Sequence, residues 1–250
     1  MGLSSNILWH QTNHYGFREI LKTRQLKCSY CLETFLQEQG VKVGFPMISL
    51  SDIPLADISE YLDQYDGYLF GFSREWVIKN NFNPVWYCEK TNLATTQHKK
   101  MIFDKLKRKG QVDDNIVKLL FYYGAYMKDI EGELEVKSKN LKYKKYRFYD
   151  EREYRYVPDY NVLLAKGLDQ YLTPEEYDNY KATNGNTLIN ISLPFSYDDL
   201  KVIIVKTENQ VRIWKRLLKH TDIHIFSHNE IKQSIIGIGH QIEGERLHKK

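Results

Sequence analysis

Hydrophobic positions along the chain follow two periods, strand-like and helix-like, which are mixed in no fixed order. Residues 7–12 alternate as a half-buried strand does, which sets Leu8, His10 and Thr12 on one face. Apolar residues then recur at helical spacing from Phe17 onward. The same patterns predict strands at 46–50, 67–72, 84–89, 148–158, 187–194, 201–205 and 222–226, and helices at 53–65, 73–81, 173–182, 209–220 and 229–236. This irregular order favours an α+β fold over a doubly wound parallel sheet.

The longest helical pattern lies between two strand-rich parts of the sequence. An apolar stripe recurs at helical spacing from Gln97 to Met127, and we interpret residues 97–135 as a mainly helical insertion. The sequence has no internal repeat and no long linker. We therefore predict one α+β domain over residues 1–250, built around a split, twisted, mixed sheet.

Composition narrows the class of protein only a little. The net charge of +4 over 250 residues is mildly basic and does not by itself indicate nucleic-acid binding. Two basic segments, 99–109 and 137–147, keep nucleic acid as a secondary partner, although such runs are more often solvated surface. Three cysteines, no secretory signal and no apolar run of membrane-spanning length predict a cytoplasmic protein without membrane contact. Cys28 and Cys31 have CxxC spacing, but no second pair completes a zinc site, so we predict no metal.

The segment FYDEREYRYVP, residues 148–158, is an unusual strand because charged residues and tyrosines fill it. Strand alternation would place Glu151, Glu153 and Arg155 on one face, and Arg152, Tyr154 and Tyr156 on the other. Two carboxylates on one face repel each other unless a cation or a ligand compensates them. We therefore predict that this face lies at a sheet edge or in a cleft. The alternative is a solvated edge strand with salt bridges.

Other segments offer polar side chains that suit a ligand. His10 and Thr12 share a strand face and can both hydrogen-bond a sugar or an amide, although a purely structural histidine is as common. Ser49 and Ser51 share another face, and the alternative is that Ser51 or Asp52 only caps the next helix. Arg74 begins a helix after GYLFGF, a position that suits an anion, but no standard phosphate loop is present.

Four segments resemble the AbiGi family of abortive phage resistance proteins in their order and spacing: LWHQTNHYGFREILKTRQL, PMISLSDIPL, GFSREWVIKNNFNPVWY and FYDEREYRYVP. The likeness extends over most of the chain. It implies the antitoxin of a bacterial two-gene abortive infection system, whose partner is a nucleotidyltransferase-like toxin.

The first of these segments is also similar to the first motif of ADP-ribosyltransferases, although Gln25-Leu26 stands where that motif usually has a glycine. This second resemblance implies an ADP-ribosyltransferase-like fold with NAD as substrate, in which His10 holds the ribose. The Glu-x-Glu spacing of Glu151 and Glu153 is that of arginine-modifying members, with Glu153 facing the ligand and Glu151 the acceptor. We accordingly predict a catalytic set of Glu153, Glu151 and His10, and an NAD-binding set of His10, Thr12, Ser49, Ser51, Arg74 and Tyr154.

Three functions stay open from the sequence. The first is an ADP-ribosyltransferase-like enzyme of phage defence, in which a carboxylate stabilises the oxocarbenium character of the ribose. The second is a non-catalytic antitoxin that binds its partner, and the third is a nucleic-acid-binding regulator. The enzyme hypothesis predicts that His10 and Glu153 share one cleft. It also predicts that Glu153→Gln abolishes turnover and leaves stability nearly intact.

Overall fold

The fold is described from a computed structural model that covers residues 6–36, 41–65, 67–89, 91–106, 114–136, 140–183 and 190–234. Its strands are β1 (Ile7–Thr12), β2 (Gln25–Lys27), β3 (Ser29–Leu36), β4 (Val41–Ser51), β5 (Tyr68–Ser73), β6 (Asn83–Pro84), β7 (Trp86–Cys88), β8 (Met127–Asp129), β9 (Gly132–Val136), β10 (Leu141–Tyr146), β11 (Glu153–Tyr156), β12 (Ser192–Pro194), β13 (Leu200–Val205) and β14 (His224–Ser227). Its helices are α1 (His14–Thr23), α2 (Ile58–Tyr65), α3 (Arg74–Lys79), α4 (Leu93–Leu106), α5 (Asp114–Tyr126), α6 (Tyr160–Ala165), α7 (Pro174–Ala182) and α8 (Glu208–Leu217), and residues 228–234 are also helical.

The described strands form one large mixed sheet and three two-stranded ladders. The large sheet has the order β14-β13-β5-β1-β4-β11-β6, with β3 also paired to β4. Its pairs are antiparallel except for β13 with β14. The mixed α+β fold predicted from the sequence is thereby confirmed.

The junction between β1 and β4 is the weakest in the sheet. Strand β1 pairs with β5 over all six of its residues, but with β4 only through Trp9 and Ser51. The two strands are therefore paired only where the last residue of β4 meets the middle of β1.

The sheet separates two apolar layers. Leu8, Phe70 and Leu50 belong to the larger core, which α1, α3 and α8 help to cover. Trp9 and Leu69, next to them in the strands, pack instead with α2. Alternate residues of a strand point to opposite faces, so the register decides which layer each polar side chain enters.

Several elements differ from the sequence predictions. Of residues 148–158, only Glu153–Tyr156 form a strand, because Phe148–Glu151 form a 3-10 turn and Arg152 adopts a left-handed conformation with φ of 44°. In the predicted helical insertion at 97–135, residues 107–113 lie outside the described residues, α5 ends at Tyr126, and strands β8 and β9 follow it. The reason is strand pairing: β8 pairs with β7, and β9 pairs with β10. Residues 187–189 and 235–236 of two predicted elements lie outside the described residues.

Candidate functional site

The charged strand β11 lies inside the sheet, between β4 and the short strand β6. Glu153 and Arg155 share one face and are buried, with exposed fractions of 5% and 0%. The carboxylate repulsion that predicted an edge or a cleft is instead compensated by cations of the fold itself.

The Glu153 carboxylate accepts four contacts from three side chains. Ser49 Oγ donates to Oε1 at 2.7 Å, and Lys128 Nζ lies 2.6 Å from Oε2. The Arg155 guanidinium grips both oxygens, with Nε 2.8 Å from Oε1 and Nη2 3.0 Å from Oε2. An ionised carboxylate offers about four acceptor positions, so these donors fill its capacity.

Arg155 connects this carboxylate to two other elements. Its Nη1 donates to the Ala125 carbonyl at 2.6 Å, near the end of α5, and its Nη2 lies 2.9 Å from Glu33 Oε1 on β3. The Tyr126 hydroxyl donates to the Arg155 carbonyl at 3.3 Å. The buried guanidinium of Arg155 thereby connects α5 and β3 to strand β11.

Glu151 belongs to the same cluster although it precedes the strand. It is 6% exposed, accepts a 3.0 Å hydrogen bond from the Tyr146 hydroxyl, and lies 3.5 Å from Lys128 Nζ. The left-handed Arg152 turns the chain between the two glutamates, so that both reach Lys128. The two carboxylates thus share a cation through a turn, and not through a common strand face.

The electrostatics of the cluster keep Glu153 and Lys128 ionised. Burial by itself raises the pKa of Glu153, but Arg155 and then Lys128 outweigh it and hold that pKa well below its usual range. Burial likewise lowers the pKa of Lys128, yet the charge of Glu153, and after it that of Glu151, raises it above the usual lysine value. The cluster is therefore a set of mutually stabilised charges at neutral pH.

A cavity of about 410 Å³ lies beside Glu151. Tyr61 and Tyr146 also line it, and Arg147 and Arg152 contribute basic groups. The Tyr61 ring connects the cavity to the sheet, because Ser51 Oγ donates to the Tyr61 hydroxyl at 3.4 Å. Of the two predicted catalytic carboxylates, only Glu151 lines this cavity.

His10 and Glu153 lie on opposite faces of the sheet. Trp9 is opposite Ser51, and Ser51 is opposite Glu153, so these three side chains share one face. His10 follows Trp9 and therefore points to the other face, where it is half-buried. Its Nδ1 lies 3.1 Å from the Ser49 carbonyl oxygen, beyond the end of the β1–β4 pairing. Burial lowers the pKa of His10, which favours the neutral imidazole.

Thr12 has a local structural role at the end of β1. Asn13 caps α1 by accepting from the Gly16 N–H at 2.8 Å, and this turn brings Gly16 against Thr12. A Cβ built on Gly16 would lie 2.2 Å from Thr12 Oγ1. Glycine is thus required by the close approach of the threonine side chain.

Arg74 and Tyr154 lie together, away from the Glu153 carboxylate. Arg74 Nη2 lies 2.8 Å from Asp52 Oδ2, and its Nη1 donates to the Tyr154 hydroxyl at 3.3 Å. The predicted cap at Ser51 or Asp52 is wrong, because a 3-10 turn at 55–57 precedes α2 and Asp52 pairs with Arg74. The six residues predicted to bind NAD thus divide between the two faces of the sheet, with Ser49 and Ser51 on the Glu153 face.

The sequence patterns did not identify Lys128 and Arg155 as the cations that compensate the Glu153 carboxylate. Lys128 lies in a segment interpreted as helical insertion, and Arg155 was noted only as a neighbour of the glutamates. The adjacent, oppositely charged Lys128 and Asp129 were an available signal, because neighbours in a strand point to opposite sides. Lys128 pairs with Glu153, whereas Asp129 forms a buried ion pair with Lys99 of α4. Strand β8 is therefore held on both sides by charge.

Comparison with known proteins assigns the chain to a family. The family model described as "Putative abortive phage resistance protein AbiGi, antitoxin" matches residues 24–206. The chain belongs to the AbiGi family. The abortive phage resistance protein AbiGi of Lactococcus lactis subsp. cremoris is 27% identical over 179 residues, which cover 64% of this chain and 71% of that protein. No solved structure matches the chain significantly.

The range matched by the family model includes some of the candidate site residues and leaves out others. It includes the whole charge cluster at β11, whereas His10 and Thr12 precede it. Within the described residues, no helix is long and apolar enough to cross a membrane, and no group of three or more histidine, cysteine or acidic side chains is placed to hold a metal ion.

Proposed function

We propose that this AbiGi-family protein of phage defence acts as an antitoxin by binding its toxin partner, without consuming NAD. The observation that carries the proposal is the saturation of the Glu153 carboxylate by Ser49, Lys128 and Arg155. A catalytic carboxylate acts on charge that develops in its ligand, so it needs an acceptor position that faces that ligand.

The placement of His10 supports the same conclusion. A ribose held by His10 lies on the opposite face of the sheet from the Glu153 side chain. Bringing the two together would require a shift of the β4–β11 register, which would also break the pair that Glu153 forms with the fully buried Arg155. Removing one member of a buried ion pair costs about 3–5 kcal/mol. The charge cluster is better explained as the element that fixes the sheet on which a partner-binding surface is built.

The test combines binding and turnover. The purified chain is mixed with the nucleotidyltransferase-like toxin of its two-gene system, and binding is measured by titration calorimetry. In parallel, the chain is incubated with NAD and nicotinamide release is measured. We expect a stable complex and no nicotinamide release above a protein-free control. Release of nicotinamide, or no complex with the toxin, contradicts the proposal.

A second candidate function is NAD binding in the cavity beside Glu151. The specific observation in its favour is a space of about 410 Å³ lined by the buried Glu151, two tyrosines, three basic residues and three further acidic residues. This volume is within the range of small-molecule pockets. In this case Glu151, and not Glu153, is the carboxylate next to the ligand. Glu151→Gln would then abolish nicotinamide release, while Glu133→Gln, at an exposed position on β9 outside the cavity, would preserve it.

A further inference from the structure

A groove of about 490 Å³ lies between α1 and α8, and none of the β11 charge cluster lines it. Its apolar wall consists of Leu21, Trp214, Leu217 and Leu218, with Tyr15 at the edge. Leu217 is 60% exposed and Tyr15 is 76% exposed. Large apolar side chains grouped in a concave, exposed surface are typical of an interaction site.

The two helices that form the groove are held in place by the sheet beneath them. The Tyr68 hydroxyl of β5 lies 3.0 Å from His14 Nδ1 of α1 and accepts a 2.8 Å hydrogen bond from Gln210 Nε2 of α8. The Trp214 ring packs edge-on against Phe17, with 5.3 Å between the ring centroids. The groove is therefore preformed, which lowers the entropic cost of docking.

These two helices carry a net positive charge. Together α1 and α8 have five basic side chains and two acidic ones, a net charge of +3, with histidine counted as neutral. Of the basic residues, Arg18 and Lys22 line the groove itself, where Glu19 is the one acidic lining residue. An acidic partner surface is electrostatically complementary to such a face.

We infer that this groove docks an acidic segment of the toxin whose apolar side chains fill the space between Leu21 and Leu217. The inference rests on the proposed antitoxin function and names the surface that carries it. An amphipathic helix with carboxylates beside its apolar stripe can contact both the apolar wall of the groove and the basic side chains of Arg18 and Lys22. Nucleic acid fits less well, because the three leucines of the wall, Leu21, Leu217 and Leu218, offer no contact to phosphate.

Most of the groove lies outside the part of the chain that the family model matches. Helix α1 ends at Thr23 and α8 begins at Glu208, whereas the family model matches residues 24–206. Of the ten lining residues, only Tyr197 lies within the matched range. A docking surface built from these flanks would recognise the toxin of this particular system, while the matched part supplies the common sheet.

The test measures toxin binding by calorimetry for Leu217→Asp and for Ile78→Asp, a control on α3 whose side chain is 67% exposed. We expect Leu217→Asp to weaken binding at least about tenfold, as is usual for an apolar anchor of an interface. Ile78→Asp should leave the affinity unchanged. A double charge reversal, Arg18→Glu with Lys22→Glu, should weaken binding and reduce its dependence on salt. Circular dichroism of each variant checks that the fold is retained.

The outcomes separate the two proposals. If the wild-type chain binds the toxin and Leu217→Asp binds equally well, the groove inference is overturned and the antitoxin function stands. If the wild-type chain does not bind the toxin, both fall. If the charge reversal abolishes binding of a short DNA duplex and leaves toxin binding intact, the basic face binds nucleic acid and the docking inference is overturned.

Discussion

Replacing Glu153 by glutamine tests whether the charged strand is held together by its own cations. The substitution preserves the shape of the side chain but removes its negative charge. It leaves Arg155, which is fully buried, and Lys128 without their nearest carboxylate. The glutamine amide also presents N–H donors where two cations donate, so at least one of the four contacts is lost.

The expected cost follows from the burial of the pair. Removing one partner of a buried, hydrogen-bonded ion pair costs about 3–5 kcal/mol, because the remaining charge is left uncompensated. For a chain of this length, each kcal/mol lowers the melting temperature by about 2–4 °C. We therefore expect Glu153→Gln to lower the melting temperature by about 6–20 °C at pH 7. This reverses the expectation from the enzyme hypothesis, in which stability was nearly intact.

The pH dependence supplies a second signature of the same interaction. The pKa of Glu153 in the folded protein lies below its ordinary value of 4.5. Its contribution to stability is therefore fully present above about pH 4.5 and is lost as the pH falls through the lower folded-state pKa. The gap in melting temperature between wild type and Glu153→Gln should consequently be constant near neutral pH and should narrow below pH 4.5.

The measurement is thermal unfolding by circular dichroism from pH 7 to pH 3, with Glu133→Gln as the control. Glu133 is exposed on β9, so its variant should unfold within about 0.5 kcal/mol of wild type. The reasoning is refuted if Glu153→Gln unfolds within about 1 kcal/mol of wild type at pH 7. A gap that widens in acid would equally contradict it, because the glutamate would then have an elevated folded-state pKa.

Three further substitutions test the packing around the site by denaturant unfolding. Lys99→Met should destabilise the protein by about 3–5 kcal/mol, because Asp129 is left as a buried charge without its ion pair; the double variant with Asp129→Leu should recover part of this loss, and no recovery would contradict the pairing. Gly124→Ala should cost about 1–3 kcal/mol, because the added Cβ would lie 2.7 Å from the Phe45 ring; an unchanged midpoint would mean that the ring moves freely. Thr173→Ala should cost about 1 kcal/mol, because it removes the capping box of α7, whereas Thr173→Ser should retain most of it.

Local patterns in the sequence were sufficient for the elements whose ends carry their own signals. Ser73 caps α3 and Thr173 caps α7, at the starts of the predicted helices 73–81 and 173–182. The alternation of ILWHQT likewise specified β1 and the opposite directions of Trp9 and His10. These features depend on residues a few positions apart, so periodicity and capping chemistry determine them.

The cluster at β11 depends on contacts that no local pattern contains. Lys128 and Glu153 are 25 residues apart, and Arg155 and Glu33 are 122 residues apart. The strand order places β4 next to β11, and this neighbour supplies the Ser49 hydroxyl. A sequence pattern can show that a carboxylate needs a cation, but only the folded chain selects which cation approaches it.

The sequence by itself determined that the chain is α+β, that the Glu-Arg-Glu-Tyr-Arg stretch needs compensation, and that its segments resemble the AbiGi family. The tertiary structure decided which side chains of the fold compensate the charges of that stretch. The register of β1, β4 and β11 sets His10 and Glu153 on opposite faces, and Lys128 enters from a strand that follows a helix. The physical reason is that side-chain direction in a strand alternates with every residue, so the pairing of distant strands decides which charges meet.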